Sequence, residues 1–401
     1  MKAVILAAGE GLRCRPLTLT RSKVMLPVAN KPLLEHIINA VAENGIREIT
    51  LVVGYKRERI MDHFGDGLEF RVNIDYVFQD AQLGTAHAVK QAKDHVEGDF
   101  LVLNGDNLVE ADTIGDLLRG KRGSVTLLAV EREQTMGYGV VISENDRVMK
   151  IVEKPKEMVS HLVNAGVYIF SQEIFDEIDE TPLSETGEYA ITDTIQSMIQ
   201  KGKIVSMVES RSMWMDAIHS WDLLKANAVM LERCKKDIKG RVEKGATIKG
   251  EVMIGENSII RAGCYIVGPA VIGKNCDIGP NIVILPSTAI GDNTSINSSV
   301  EIQNSMLMND VRLGSGSYIS NSIIGAGNSI GPHFSTEVGR DLMIEMKGIL
   351  HHAELLGTVT GDDNAVANRV LIRAGKMIAN SCSIESGVIV GRDIPPGSIV
   401  V

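Results

Sequence analysis

Residues 248–297 read "IKGEVMIGENSIIRAGCYIVGPAVIGKNCDIGPNIVILPSTAIGDNTSIN" and place isoleucine at 248, 254, 260, 266, 272, 278, 284, 290 and 296. A helix returns a side chain to the same face every 3.6 residues and a strand every second residue, so neither produces a strict spacing of six. Six residues form one flat side of a triangular coil. The isoleucine points inward and small or turn-forming residues, often glycine or asparagine, fill the gaps. Stacked coils then bury the isoleucines in ladders, which is the hexapeptide β-helix. The spacing holds through Ile302, wavers, and resumes around "IIGAGNSIG" at 323–331. The segment 332–365 breaks it and reads as an insertion. "VLIRAGKMIANSCSIESGVIVGRDIPPGSIVV" (370–401) returns to coils and ends on a Pro-Pro-Gly stop.

Upstream the pattern is different. "KAVILA", "EITLVV" and "DFLVLNGD" read as buried strands, and "KPLLEHIINAVAENG" and "GTAHAVKQAKDHV" as amphipathic helices. Such alternation predicts a mostly parallel sheet covered by helices on both faces. Ligands in such sheets bind beyond the carboxyl ends of the strands. The turns after "KAVILA" and "DFLVLN" are therefore expected to face one site. "SWDLLKANAVMLERCKKDIKG" (220–240) reads as a helix joining the halves. The division expected is 1–230 for the first domain, 231–245 for the end of the linker helix, and 246–401 for the coils.

The chain has 401 residues, enough for two domains with ample core. Aromatic residues make up only 4%, so that core must be mostly aliphatic. The net charge of −10 argues against nucleic acid as partner. Cys14, Cys234, Cys264, Cys276 and Cys382 show no Cys-x-x-Cys pair, so neither a disulfide framework nor a zinc site is expected. The apolar run in "MKAVILAAGEG" is too short for a signal peptide or a bilayer span. A cytoplasmic protein with no membrane partner is the expectation.

The stretch "LAAGEGLRCRPLTLTRSKVMLPV" (6–28) carries the chemistry. It is a glycine loop behind a strand, yet it is not the dinucleotide fingerprint, because Cys14 stands where the third glycine would, and not a Walker loop, because no Gly-Lys-Ser/Thr follows. Gly9 and Gly11 allow close backbone approach, and free N–H groups can hold phosphate oxygens. Arg13 and Lys23 add positive charge. A nucleoside triphosphate brings about four negative charges that cations must neutralise before a second anion attacks. The metal expected is Mg²⁺, held by few carboxylates plus phosphates. Asp106 in "LNGDN" and Asp216 in "MWMDAIH" each follow a short apolar run. Alone, each reads as a turn residue; with the loop, they form the expected metal pair.

In order along the chain, "LAAGEGLRCRPLT…SKVMLPVANKP", "QLGTAHAV", "NGD", "GYGVV", "VEKP", "NAGVYIF" and "MWMDAIHSWD" resemble the sugar-1-phosphate nucleotidylyltransferases. With its hexapeptide tail the chain is similar to two-domain archaeal enzymes of that family. These couple UDP-N-acetylglucosamine pyrophosphorylase to glucosamine-1-phosphate acetyltransferase, or carry the glucose-1-phosphate thymidylyltransferase label. The resemblance implies an α/β fold, with a Rossmann-like nucleotidyltransferase domain followed by a left-handed parallel β-helix. It implies that Ala8, Gly9, Gly11, Gln79 and Gly84 bind the nucleotide, with Thr85 supporting the base pocket. Arg13 and Lys23 would hold the triphosphate, and Asp106 and Asp216 would bind Mg²⁺. Gly139, Glu153 and Asn164 would bind the sugar, Lys154 would lie near its phosphate, and Tyr168 would pack beneath. UTP or dTTP and N-acetylglucosamine or glucose 1-phosphate are the substrates implied. The alternatives are mannose-1-phosphate guanylyltransferase and an inactive regulatory subunit. Hexapeptide helices of this kind usually form homotrimers, and many use acetyl-CoA. Tyr318 and Lys347 match positions of the acetyltransferase half, while Ser315 stands where a histidine is expected. Ser22 replaces a usual proline, and "DAIH" replaces a usual Asp-Ile-Gly, which makes His219 unexpected. His333, His351 and His352 read as loop histidines.

Overall fold

The computed structural model describes residues 1–401 apart from Met136, Lys156, Glu185, Thr186 and Lys347. The described residues divide into two compact units. The first comprises 1–10, 22–25 and 33–216; the second comprises 11–21, 26–32 and 217–401. The boundary therefore differs from a cut at 230, because most of the segment after the glycine loop folds with the second unit.

Strands of the first unit are β1 (Ala3–Ala7), β2 (Glu48–Val53), β3 (Asn73–Phe78), β4 (Phe100–Asn104), β5 (Asn107–Val109), β6 (Val125–Glu131), β7 (Gly139–Glu144), β8 (Arg147–Glu153), β9 (Leu162–Phe170), β10 (Val205–Glu209) and β11 (Trp214–Asp216). Its helices include α1 (Leu33–Glu43), α2 (Arg57–Phe64), α3 (Thr85–Lys90), α4 (Ala111–Arg119), α5 (Ile174–Asp179) and α6 (Ile191–Gln200). The main sheet has the order β3-β2-β1-β4-β9-β6-β10-β8-β7. Strands β3, β2, β1 and β4 run parallel. Beyond them the sheet is mixed, since β9 is antiparallel to both β4 and β6. One of the antiparallel pairs, β7 with β8, has a local cause. Only Asn145 and Asp146 separate β7 from β8, with Asn145 at φ 54°, and so short a connection can join only antiparallel strands.

Alternation along β1 sends Ala3 and Ile5 to one face and Val4 to the other. The first face packs on Leu34, Ile37 and Ile38 of α1 and Ile114 and Leu117 of α4. The second packs on Val89 of α3, Phe175 of α5 and Ile195 and Met198 of α6. Helices thus cover both faces, as an α/β fold requires.

The second unit is a parallel β-helix. Three sheets of eight, nine and eight short strands stack coil on coil. Ile248, Ile266, Ile284, Ile302 and Ile319 pair in succession along one sheet. Ile260, Ile278, Ile296, Leu313 and Ile330 do so along another. All but the partly buried end residue Ile248 are buried in one continuous core. Corners use left-handed residues, including Asn257, Asn275, Asn293 and Asp310. Their side chains hydrogen-bond in a column: Asn257 to Asn275 at 3.2 Å, Asn275 to Asn293 at 3.1 Å, and Asn293 to Asp310 at 3.1 Å.

The register wavers after Ile302 because the inward residues shift to Leu307 and Leu313, one corner being a residue short, and a second short corner falls between Ile319 and Ile324. The insertion is narrower than 332–365. Ser335–Thr336, Val359–Thr360 and Ala365–Val366 are coil strands. The inserted piece is an antiparallel hairpin, Gly339–Met346 with Ile349–Leu356. At the other end, α7 covers Asp222–Leu231 and coil pairing already begins at Asp237–Ile238, ahead of 246. Among the described residues no helix is long and apolar enough to cross a membrane.

Candidate active site

The turn after β4 decides the first cluster. Gly105 donates its N–H to the Leu6 carbonyl at 2.9 Å, and a Cβ there would lie 2.6 Å from that oxygen. Only glycine lets the chain approach β1 so closely, which leaves Asp106 beyond the carboxyl ends of β1 and β4. Strand β5 then pairs antiparallel with β11, setting Asp216 opposite Asn107. Trp214 anchors β11 by donating its indole N–H to the Ala165 carbonyl at 2.8 Å. Two aspartates far apart in sequence thereby converge on Lys23. Its Nζ lies 2.6 Å from Asp106 Oδ2 and 3.4 Å from Asp216 Oδ1. The lysine side chain is 11% exposed and the carboxylates 34% and 21%. Two like charges this close need a cation between them, and the ammonium supplies it. The donor set is oxygen only, which suits a hard cation. No group of three or more His, Cys, Asp or Glu residues that could hold a metal occurs among the described residues. Two carboxylates completed by substrate phosphates is the arrangement magnesium prefers.

A second cluster gathers Ala8, Gln79 and Gly84. Tyr55 donates its backbone N–H to the Ala8 carbonyl at 3.1 Å. A Cβ on Gly54 would meet the Gln79 carbonyl at 2.8 Å and Ala8 at 3.0 Å, so this unpredicted glycine holds the two together. A Cβ on Gly9 would meet nothing within 4 Å. Gln79 is 3% exposed. Its amide nitrogen donates to the Gly84 carbonyl at 3.1 Å and lies 2.9 Å from His87 Nδ1. Burial first, and the Lys90 charge second, hold the His87 imidazole below its usual range, so it is neutral and can accept. His87 was not singled out in the sequence, although it lies inside "QLGTAHAV". Gly84 has φ +106°, and a Cβ there would lie 2.5 Å from the Tyr189 carbonyl. The Thr85 hydroxyl accepts from the Ile191 N–H at 2.9 Å, at the start of α6. Both residues hold the 188–190 segment against α3.

A third cluster lies where β7, β8 and β9 meet. Gly139 is in register with Glu153, and a Cβ on it would lie 2.9 Å from Glu153 Oε2 and 3.8 Å from Asn164 Cβ. Thr192 donates to Glu153 Oε2 at 3.4 Å. Asn164 Nδ2 donates to the Tyr168 hydroxyl at 2.7 Å. Burial pushes that phenol well above its usual range, so it stays protonated beneath Asn164. Lys154 sits at φ 42°, with Nζ 3.7 Å from Glu153 Oε1. Gly139, Glu153 and Asn164 therefore meet.

The remaining predicted residues belong to the second unit. Gly11, at φ 69°, opens the 3₁₀ turn Leu12–Cys14 that carries Arg13. Tyr318 is 39% exposed on a coil strand. Lys347 lies outside the described residues. His219 stacks on Trp221 with ring centroids 4.6 Å apart, and its Nε2 lies 3.1 Å from His351 Nδ1. His352 lies 3.1 Å from Asp341 within the hairpin. His333 occupies a left-handed corner at φ 60°, where a Cβ on Gly316 would meet its ring at 2.7 Å.

Residues 2–233 match the nucleotidyl transferase family, and residues 266–337 match the GMPPB C-terminal domain. A bifunctional protein GlmU of Methanococcus maripaludis is 36% identical over 407 residues, covering all of this chain and 97% of that one. A glucose-1-phosphate thymidylyltransferase of Streptomyces antibioticus is 34% identical over 264 residues, covering 64% of this chain and 74% of that one. A crystal structure from Bacillus anthracis, assigned to a glucose-1-phosphate thymidylyltransferase and holding sucrose, is 29% identical. It superposes with a TM-score of 0.52 over 57% of this chain and 94% of that one. With a family match over more than half its length and a full-length relative above 30% identity, this chain belongs to the nucleotidyl transferase family and is a sugar-1-phosphate nucleotidyltransferase.

Proposed function

We propose that the chain transfers a uridylyl or thymidylyl group from UTP or dTTP to N-acetylglucosamine 1-phosphate or glucose 1-phosphate, releasing pyrophosphate. The observation that carries the base choice is the Gln79 amide. The Gly84 carbonyl can only accept, so the amide nitrogen is committed to it, on the side that also faces His87 Nδ1. Oε1 is then what the side chain offers a base. Uracil and thymine carry an N3–H donor for it, whereas cytosine and adenine present an acceptor at the corresponding edge. Leaving an acceptor opposite an acceptor in a buried site costs several kcal/mol, roughly 10⁴-fold discrimination at best. Guanine carries the same kind of donor, which keeps guanylyl transfer to mannose 1-phosphate as a second reading.

Lys23 and Arg13 would hold the triphosphate, with Ala8, Gly9 and Gly11 at its nucleoside end. Asp106 and Asp216 would hold Mg²⁺, which when bound neutralises phosphate charge. Gly139, Glu153 and Asn164 would orient the sugar and Lys154 its phosphate. An oxygen of the sugar phosphate attacks the α-phosphorus in line and pyrophosphate leaves, so positioning and charge neutralisation suffice without a protein nucleophile. Pyrophosphate release, crossing UTP, dTTP, CTP, GTP and ATP against glucose, N-acetylglucosamine, glucosamine and mannose 1-phosphates, tests the reading. Release with CTP or ATP equal to that with UTP would sink the role given to Gln79. Silence throughout, from folded protein, would favour a regulatory subunit.

For the coils, the resemblance implies acetyl-CoA as co-substrate, with Tyr318 and Lys347 as candidates. Ser315, whose hydroxyl accepts from Ser298 at 3.2 Å, stands where the general-base histidine is expected. We therefore assign no acetyl transfer to the coils. Acetyl-CoA-dependent thiol release with glucosamine 1-phosphate would overturn that assignment. Light scattering on the purified chain tests the homotrimer or higher homo-oligomer expected of such coils.

A further inference from the structure

Residues 11–21 follow the glycine loop in sequence but fold with the β-helix. The segment is stiffened from within. Cys14 donates its N–H to the Gly11 carbonyl at 2.9 Å, and the Thr18 hydroxyl donates to the same oxygen at 3.0 Å. Its far end is fastened to one coil residue, Asp362. The Arg21 guanidinium forms a buried ion pair with Asp362 Oδ2, the two side chains being 10% and 4% exposed. The Thr20 hydroxyl donates to the same oxygen at 2.5 Å. Arg21 Nη1 also lies 3.3 Å from Met308 Sδ. Asp362 is itself fixed, because Oδ1 accepts from the Ala326 N–H at 2.8 Å on the neighbouring coil. Both carboxylate oxygens are thus committed, one to the coil and one to the segment. Arg21 immediately precedes Ser22-Lys23 in the chain, and Arg13 lies within the fastened segment. The hairpin inserted just before Asp362 carries His351, whose imidazole is held below its usual range by burial first, then by His219 and the Arg13 charge.

A buried carboxylate whose two oxygens serve different elements sets the distance between them more strictly than apolar packing does. We propose that Asp362 is a positioning residue for nucleotidyl transfer, holding through Thr20 and Arg21 the segment that presents Arg13 and leads into Lys23. This rests on the reading that Arg13 and Lys23 hold the triphosphate.

The test is steady-state pyrophosphate release by the full-length chain, varying UTP at saturating N-acetylglucosamine 1-phosphate. D362N can keep an acceptor for the Ala326 N–H, but it then sets an amide N–H₂ where Oδ2 accepts from Thr20 and Arg21, and it removes the charge facing Arg21. It is expected to raise KM for UTP and lower kcat, with kcat/KM falling at least tenfold and KM for the sugar phosphate within twofold of wild type. D362E, which restores the charge, is expected to recover part of the UTP term. A merely structural role would lower the melting temperature and leave the UTP and sugar terms unchanged or moved together. Should D362N not fold, Thr20→Val, which removes one hydrogen bond, is expected to raise KM for UTP about threefold; an unchanged value overturns the proposal. An active wild type beside a folded, kinetically unchanged D362N overturns it as well. A folded wild type that releases no pyrophosphate overturns the nucleotidyl-transfer reading and the proposal with it.

Discussion

Replacing Lys23 by alanine separates a catalytic cation from a structural counter-ion. In the structure the ammonium neutralises Asp106 at 2.6 Å and Asp216 at 3.4 Å. A unit-charge pair at about 4 Å is worth ~1 kcal/mol in water and ~4 kcal/mol near a protein surface. With the carboxylates a fifth to a third exposed, water screens both contacts, so the lower part of that range applies. Losing the lysine should therefore cost the free protein only about 1–2 kcal/mol, a melting shift of a few degrees. The loss in the reaction is larger. A fixed donor aimed at developing phosphate charge is worth about 3–4 kcal/mol, or 10²–10³ in kcat. Lys23→Ala should then show kcat for pyrophosphate release down by at least a hundredfold, with its melting transition nearly in place. Lys23→Arg, which keeps charge but not the compact ammonium, should fall between. The reasoning fails if Lys23→Ala turns over within threefold of wild type, or if its whole effect is a collapse of stability.

Three other substitutions address the scaffold around that chemistry. Gly84→Ala should destabilise by ~2 kcal/mol or more, because φ is +106° and the new Cβ would lie 2.5 Å from the Tyr189 carbonyl; chemical denaturation measures it. His87→Ala releases the Gln79 amide and should cut the UTP-over-CTP ratio of kcat/KM by about tenfold, about 1.4 kcal/mol. Because the folded His87 pKa lies below 6.5, its neutral form contributes fully above pH 6.5 and is lost as pH falls through the lower folded value. KM for UTP should thus be flat from pH 8 to 6.5 and rise below, with the slope absent in His87→Ala. Ile284→Ala removes a fully buried rung of the coil ladder and should cost about 2–5 kcal/mol in the unfolding of the second unit, read by its urea transition.

Periodic information was legible before the structure and pairwise information was not. Isoleucine every sixth residue specifies coils whatever the rest of the chain does, and each rung but the end residue Ile248 is buried where the spacing puts it. The two short corners near Ile302 and Ile319 blurred that reading only because a single missing residue shifts every later hit. The first half was readable as an α/β unit from its strand and helix runs, but not as a mixed sheet. The antiparallel run of β9 against β4 and β6 is a long-range pairing that no local motif announces, and the β7–β8 pair rests on a two-residue turn at Asn145. Lys23, behind the glycine loop, and Asp106 and Asp216, each at the end of a short apolar run, were candidates by residue type, and the structure brings the three together. His87 was not a candidate, because its role depends on the fold setting its Nδ1 against the Gln79 amide nitrogen.

Asp362 shows most clearly why the remainder was hidden. Its partner Arg21 is 341 residues away in sequence. Nothing local marks either residue: Arg21 stands in a run of threonines and basic residues, and Asp362 in a Gly-Asp-Asp corner like others in the coils. Burial of both is what gives the pair its weight. An exposed pair of the same kind contributes ~1 kcal/mol or less. Removing one partner of a buried pair strands a charge and costs about 3–5 kcal/mol, even where the intact pair adds little net stability. Such a contact is a poor source of stability and a strict source of geometry. It therefore belongs where a loop must be held in one place, and the loop in question carries the arginine assigned to the triphosphate.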